Sequence, residues 1–359
     1  MRYSPQALSA VLQERRLPAI DGLRAVAVGL VMAYHAGGPV PGDLGVSVFF
    51  VLSGFLITWL LLREHADGGT VDLRAFYLRR TLRIFPAYYV FLAFSFALDT
   101  LLGDGWSWSR IVTATTYTVN YYNAALGHPA SSVAHAWSLA VEEQFYLLWP
   151  LAFLALASRG PRAIGLGVGT AVIASAVWRS VGQVWLDFPA SYAYNSFETR
   201  LDNLAVGCLA AVLARGAWFG SLARSVAIHP TLPFATIAAL LASRMAGSEL
   251  WHYTLGFTVD AVLITVLIVQ LLQVSHHRCW SWLDHPATRY LGLLSYSLYL
   301  YHQWGLAIGH KMSVLPQWGQ VGAGVLASIA LAAGSHYAVE RPFLALKRRV
   351  DRPIELATA

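Results

Sequence analysis

Two side chains eleven residues apart, Arg24 and His35, lie in the apolar run IDGLRAVAVGLVMAYHAGG (20–38). On a helix, eleven steps of about 100° make three turns plus about 20°, so the pair share one face about 16 Å apart along the axis. Asp21, three residues before Arg24, can pair with it on that face. A charge at bilayer depth costs at least about 2.5–3.5 kcal/mol, so this row belongs against a bundle interior or a watered cavity. Histidine has the near-neutral pKa needed to take a proton from a hydroxyl, which makes His35 the candidate general base. The alternative is that Asp21 and Arg24 cap a helix end and His35 only bonds a neighbouring carbonyl.

A second cluster carries phosphate chemistry. FYLRRTLRIFP (76–86) brings Arg79, Arg80 and Arg83 to one side of a helix mouth through i, i+3 and i, i+4 spacing. Guanidinium forks match phosphate oxygens in bidentate fashion, although arginines beside a membrane often serve only to anchor topology. Together with Arg24 they fit an extended, phosphate-bearing ligand whose arm reaches toward His35. Coenzyme A has that shape.

WSLAVEEQFYLLWP (137–150) supplies carboxylates. Glu142 and Glu143 point about 100° apart, so both reach one cavity only if it is wide. Glu142 shares its face with Tyr146 and Trp149, an arrangement suited to a sugar site or to orienting His35, and is expected near the outer end of its helix. Ser53, Asn120 and Trp137 are candidate donors to a developing oxyanion, with Trp137, Tyr146 and Asn120 also expected to touch the acceptor. VLSGF lacks the G-x-S-x-G pattern of a serine nucleophile, and its Ser53–Gly54 pair reads as close helix packing. Asp202 in RLDNLAVG either pairs with Arg200, the structural reading preferred here, or joins the site. His128, His135 and His302 show no metal-ligand spacing, so no metal is expected, and His302 fits either an aromatic belt or a cavity wall.

The elements that position these groups are membrane helices. Of 359 residues, 57% are hydrophobic and 12% charged, against about 25% charged in a soluble domain. Ten apolar windows long enough to span fall at roughly 24–42, 45–62, 84–102, 138–157, 163–182, 200–214, 232–246, 252–273, 290–309 and 320–339. Residues 103–137, rich in Trp, Tyr, Asn, Ser and Thr, read as an interfacial or re-entrant segment. With the amino terminus inside, Arg2, Arg15, Arg16, Arg63, Arg74, Arg79, Arg80, Arg83, Arg159, Arg162, Arg215, Arg224, Arg278, Arg289, Arg341, Lys347, Arg348, Arg349 and Arg352 fall on the cytoplasmic side, 19 of the 25 basic residues. Arg110, Arg179, Arg200, Arg244 and Lys311 fall in or near outer segments, so the positive-inside rule predicts an all-α protein of about ten transmembrane helices with both termini cytoplasmic. No signal-peptidase pattern precedes the first span, and the two cysteines form no disulfide framework.

The quoted motifs, with GVSVFFVLSGFLI (45–57), LGLLSYSLYLYH (291–302) and ERPF (340–343), make the chain resemble the membrane-bound acyltransferase 3 family, whose members O-acylate envelope glycans, Nod factors and macrolide sugars. The resemblance runs over 17–346, leaving 1–16 as an amino-terminal cytoplasmic segment and 347–359 as a tail. It implies a cytoplasmic acyl-CoA donor, acetyl-CoA foremost, an essential Arg and His at Arg24 and His35, an Arg-x-x-Arg at Arg80 and Arg83, and an acidic residue at Glu142. It implies as partners a carbohydrate or glycoconjugate acceptor and the lipid bilayer, with no nucleic acid, in a multi-pass protein of the cell membrane. No carboxy-terminal hydrolase domain of the SGNH type follows, so direct transfer within the bundle is expected. A macrolide-type acceptor on the cytoplasmic side stays open. A secondary transporter would usually show paired halves and broken spans, which are not apparent here.

Overall fold

The computed structural model describes residues 6–13 and 17–350, the side chains of residues 9, 18, 217 and 347–350 excepted. Arg2, Arg15, Arg16 and Arg352, with the side chains of Lys347, Arg348 and Arg349, therefore lie outside the described residues, as do 1–5 and 14–16 of the amino-terminal segment and 351–359 of the tail. Every described element is helical and no strand occurs among the described residues. Among those residues ten helices are at least fifteen long: α1 (Pro18–His35), α2 (Gly42–Gly68), α3 (Leu73–Leu102), α4 (Trp137–Ala157), α5 (Pro161–Trp185), α6 (Phe197–Leu213), α7 (Leu232–Ala246), α8 (Phe257–Val274), α9 (Pro286–His310) and α10 (Gln317–Ser335). Each overlaps one apolar window. Between α3 and α4 the chain makes only the short helices Trp108–Thr115 and Val119–Ala125 and a 3-10 turn at Ala134–Ala136.

Local sequence sets several boundaries. Proline at the first position of α1, α5 and α9 has its φ preset for a helix and lacks only an N–H that would go unpaired there. The Asp72 carboxylate caps α3 by accepting from the Ala75 N–H. Gly69 and Gly103 end α2 and α3 at φ of 71° and 92°, where a side chain would be strained.

By length and apolarity, six helical stretches among the described residues can cross a bilayer, and seven if the pair Ala190–Leu213 and Trp218–Val226, bent by 116°, forms one span. The six contain α2, α3, α4, α5, α8 and α10. The other windows fall short for physical reasons. α1 is 18 residues long and carries Asp21 and Arg24, α7 has 15 residues, and α9 turns Ser295, Ser297, Tyr299 and His302 into the bundle.

Contacts between helices fix their relative directions. Asp21 meets Gly292 at one end of α1 and α9 and His35 meets His302 at the other, so this pair is parallel. So are α2 and α6, through Ser47 with Arg200 and the Leu62 carbonyl with Arg215, and α3 and α9, through the Ile84 carbonyl with Tyr296 and Ser95 with Trp304. The pairs α1/α2 and α7/α8 are antiparallel, through Tyr34 at Gly42 and Ala27 at Gly45, and through Thr236 with Gln270 and Arg244 with Asp260.

Two deeply placed arginines are matched by carboxylates across these contacts. The Arg179 guanidinium lies 2.8 Å from the Asp202 carboxylate, both fully buried, and Arg244 bridges Asp43 and Asp260 at 2.6 Å each. Asp202 is thus paired, but not with Arg200 as expected. Residues two apart leave a helix on nearly opposite sides, so α5 supplies the partner instead.

The crossing of α2 with α6 is closest at two glycines. A Cβ at Gly54 would stand 1.9 Å from the Leu204 carbonyl oxygen, and one at Gly207 2.1 Å from that of Val51. Gly54→Ala or Gly207→Ala must push the helices apart, with an expected loss of about 1–3 kcal/mol typical of overpacking. Thermal unfolding in detergent measures it, and an unchanged midpoint in both variants would show that this contact is slack.

Candidate active site

A cavity of about 1170 Å³ lies among α1, α2, α3, α4 and α9 and the helix Arg341–Val350. That exceeds the roughly 300–1,000 Å³ of most small-molecule pockets. Arg24, Arg80 and Arg83 all line it, as their spacing in the sequence predicts. Arg63, Arg289 and Arg341 join them from three further helix ends. The sequence places these last three only as topology anchors. Their shared position near the same end of the bundle is the available signal, but their convergence is tertiary. Arg24, Arg80 and Arg83 form no ion pair with a described residue.

Arg79 departs from the expectation. It does not line the cavity and instead lies 3.1 Å from Glu64 on α2. One helical step of about 100° from Arg80 is enough to turn it toward that carboxylate.

The middle of the cavity is a closed polar triangle. Ser53 donates to Glu142 Oε1 at 3.1 Å, and the Tyr146 hydroxyl lies 2.8 Å from Ser53 Oγ and 3.1 Å from Glu142 Oε2. The Arg80 guanidinium stands 4.4 Å above the Tyr146 ring. Glu142 is five residues from the start of α4, near one end of its own helix, and its bond to Ser53 brings it level with the middle of α2. Glu143 lines the same cavity, which is wide enough to receive both carboxylates despite their angular separation. The Ser53–Gly54 reading divides in two: Gly54 packs the helices and Ser53 faces the site.

His35 does not line this cavity. Phe49, Ser138 and Tyr299 stand at the cavity wall nearest it. The Tyr299 hydroxyl donates to the His135 carbonyl at 2.8 Å and so accepts from Ser138 at 2.6 Å. Beyond that layer, His302 Nδ1 lies 2.8 Å from the Tyr299 carbonyl and His302 Nε2 lies 3.1 Å from His35 Nδ1. His35 Nδ1 is also 2.9 Å from the Val31 carbonyl, the bond of the plainer reading, but that bond coexists with the histidine contact. His302 is fully buried, which removes it from a belt, and it is not among the residues that line the cavity. The His135 ring lies 5.0 Å from that of His302. Among the described residues no three His, Cys, Asp or Glu side chains are grouped as metal ligands would be.

Two expected acceptor contacts lie elsewhere. Asn120 is fully buried and exchanges hydrogen bonds with Gln144. Trp137 is buried against Tyr194, with ring centroids 4.7 Å apart, and against Phe50. Five residues before Glu142, it points about 140° away from it around α4.

A family described as an acyltransferase domain, acyltransferase 3, matches residues 17–336. The chain belongs to the acyltransferase 3 family. It is 30% identical over 311 residues to a "Peptidoglycan O-acetyltransferase" of Listeria monocytogenes, covering 80% of this chain and 49% of that protein. It is 31% identical over 314 residues to a "Putative O-acetyltransferase" of Staphylococcus aureus strain COL, covering 80% and 50%. It is 29% identical over 374 aligned positions to a "Putative peptidoglycan O-acetyltransferase" of Bacillus subtilis, covering 94% and 57%. The chain thus spans about half the length of these curated relatives. No solved structure matches it.

For this family member the geometry separates two points of access. The cavity reaches the bundle end where α1, α3 and α9 begin, which is also the end of exposed Cys279, whereas His35 closes the far end of α1. In sealed vesicles of a Cys279→Ser background, Ser53→Cys is expected to react with an impermeant thiol reagent from the side of position 279. Tyr34→Cys is expected to react from the opposite side. Labelling of both from one side would show that cavity and histidine share an entrance.

Proposed function

We propose that the chain is an integral membrane O-acyltransferase that moves an acyl group, acetyl foremost, from acyl-CoA to a hydroxyl of a carbohydrate or glycoconjugate, with His35 as general base. The observation that carries this reading is the arginine-lined cavity whose wall residue Tyr299 is bonded through His302 to His35. Six arginines suit the phosphates of a nucleotide-bearing thioester, and Phe49, Leu52, Leu56 and Trp59 suit its apolar arm. The arm passes between Phe49 and Tyr299 to present its carbonyl at His35. His35 then takes the proton of the acceptor hydroxyl as the oxygen attacks the thioester carbon. The tetrahedral adduct expels the coenzyme thiolate, which receives that proton, and an ester remains on the acceptor. Glu142 is assigned to hold Tyr146 and Arg80 in place along the arm; it does not reach His35.

The alternating helix directions support ten crossings, including the helices too short or too polar to qualify by composition alone, because each tested pair has the relative direction that alternation requires. The excess of Arg and Lys at the end where α1 begins supports cytoplasmic termini and a place in the cell membrane. On this topology the donor enters from the cytoplasm and His35 is met from outside. A glycan polymer, such as the peptidoglycan named for two relatives, fits that approach.

Arg80→Ala with Arg83→Ala is expected to weaken acetyl-CoA binding about ten- to a hundredfold, as loss of charge-assisted hydrogen bonds does, while Arg79→Ala changes it less than about twofold. Calorimetric titration of the detergent-purified protein decides this, and equal affinities in all three would remove the arginines from donor binding. His35→Ala is expected to lower transfer about 10²- to 10⁴-fold with donor affinity retained. Oriented vesicles given acetyl-CoA on the cytoplasmic face and acceptor on one face at a time test the crossing. Ester formation only with both on the cytoplasmic face would favour a soluble, macrolide-type acceptor instead.

A further inference from the structure

His302 is the buried titratable group nearest His35, and nothing above gives it a task. Its hydrogen bonds fix where its proton lies. A carbonyl oxygen only accepts, so the 2.8 Å contact with the Tyr299 carbonyl requires a proton on His302 Nδ1. A neutral ring protonated there has a lone pair on Nε2, so the 3.1 Å contact to His35 is donated by His35 Nδ1–H. The Val31 carbonyl, 2.9 Å from that nitrogen, demands the same proton position. Both neighbours therefore leave the lone pair of His35 on Nε2, the nitrogen that bonds to neither.

We infer that His302 is a positioning residue for the acyl transfer: it fixes the tautomer and plane of His35 and accepts from the imidazolium that forms when His35 Nε2 takes the acceptor proton. This inference rests on the assignment of His35 as general base. The Val31 carbonyl, one turn back on the same helix, holds Nδ1–H from one side only. His302 comes from a different helix. Its own ring is held by full burial, the Tyr299 bond, and the His135 ring at 5.0 Å and 74°. Its main-chain carbonyl accepts from Ser328 on α10 at 3.2 Å, and a Cβ at nearby Gly305 would stand 2.2 Å from the same hydroxyl. The arrangement resembles a buried acceptor behind a catalytic imidazole, here an uncharged one. Such partners typically change the function of the group they orient by about ten- to a hundredfold.

The test uses membranes of cells producing the full chain, supplied with radiolabelled acetyl-CoA, and reads hydroxylamine-labile ester label, a signal that is the same whichever acceptor carries the ester. His302→Ala and His302→Asn are expected to slow label transfer about ten- to a hundredfold at saturating donor, with KM for acetyl-CoA within twofold of the unaltered protein. His302→Gln, whose side-chain carbonyl can reach the place of Nε2, is expected to recover most of the rate, whereas the shorter Asn is not. In a His35→Ala background, His302→Ala is expected to add no further loss. Transfer at the unaltered rate in both His302→Ala and His302→Asn overturns the inference. Equal loss in Ala, Asn and Gln variants accompanied by a changed KM or a lowered thermal midpoint also overturns it, as that is the mark of a packing role. Full transfer in His35→Ala is a different result, since it removes the base itself.

Discussion

The close parallel contact of α1 with α9 is the constraint on which the site depends. At one end Gly292 lies so near the Asp21 backbone that a Cβ would stand 2.0 Å from its carbonyl oxygen. At the other, the two histidines bond across the same pair of helices. Between these points α1 runs along the bundle interior, which turns Arg24 into the cavity and sets His35 beyond its end. A side chain at Gly292 would tilt the helices and disturb both groups, because interiors packed to this density transmit displacements.

The arginines within the bundle are not all of one kind. Arg179 and Arg244 are satisfied by carboxylates from other helices, and such pairs act as fixed joints because removing one partner strands the other. Arg24, Arg80 and Arg83 have no such partner among the described residues and surround an open volume. These guanidinium groups stand at the wall of a cavity, where a charge costs less than in apolar surroundings. Arg200, fully buried outside the cavity, is of neither kind: it bonds Ser47 and stands 3.7 Å over the Phe257 ring, so what sets the cavity's arginines apart is their convergence on one volume.

Phe49, Ser138 and Tyr299 line the cavity, and of these Tyr299 is bonded to the histidine pair. Its hydroxyl ties Ser138 to the turn before α4, and its carbonyl holds His302. A ligand arm moving through this wall would therefore displace a residue bonded to the histidine pair.

The sequence by itself determined the helical class, the apolar character of the helices and which side chains share a helix face. Low charge content and ten apolar windows are one-dimensional properties, and the faces shared by Arg24 with His35 and by Arg80 with Arg83 follow from a fixed 100° step. What the spacing could not supply was the partner across a helix contact. Arg79 has nearly the same claim to the cavity as Arg80 until Glu64 is brought beside it, and Asp202 selects Arg179 from 23 positions away. Trp137 and Asn120 have the chemistry of a sugar site but are packed into the interior, Trp137 against Tyr194 and Phe50 and Asn120 against Gln144. Arg63, Arg289 and Arg341 gave no local sign of belonging to one cavity, and His302 none of backing His35 across 267 positions. Local geometry can be read from a helical period, whereas the choice of neighbour is made by how whole helices pack, and only the tertiary structure decided that.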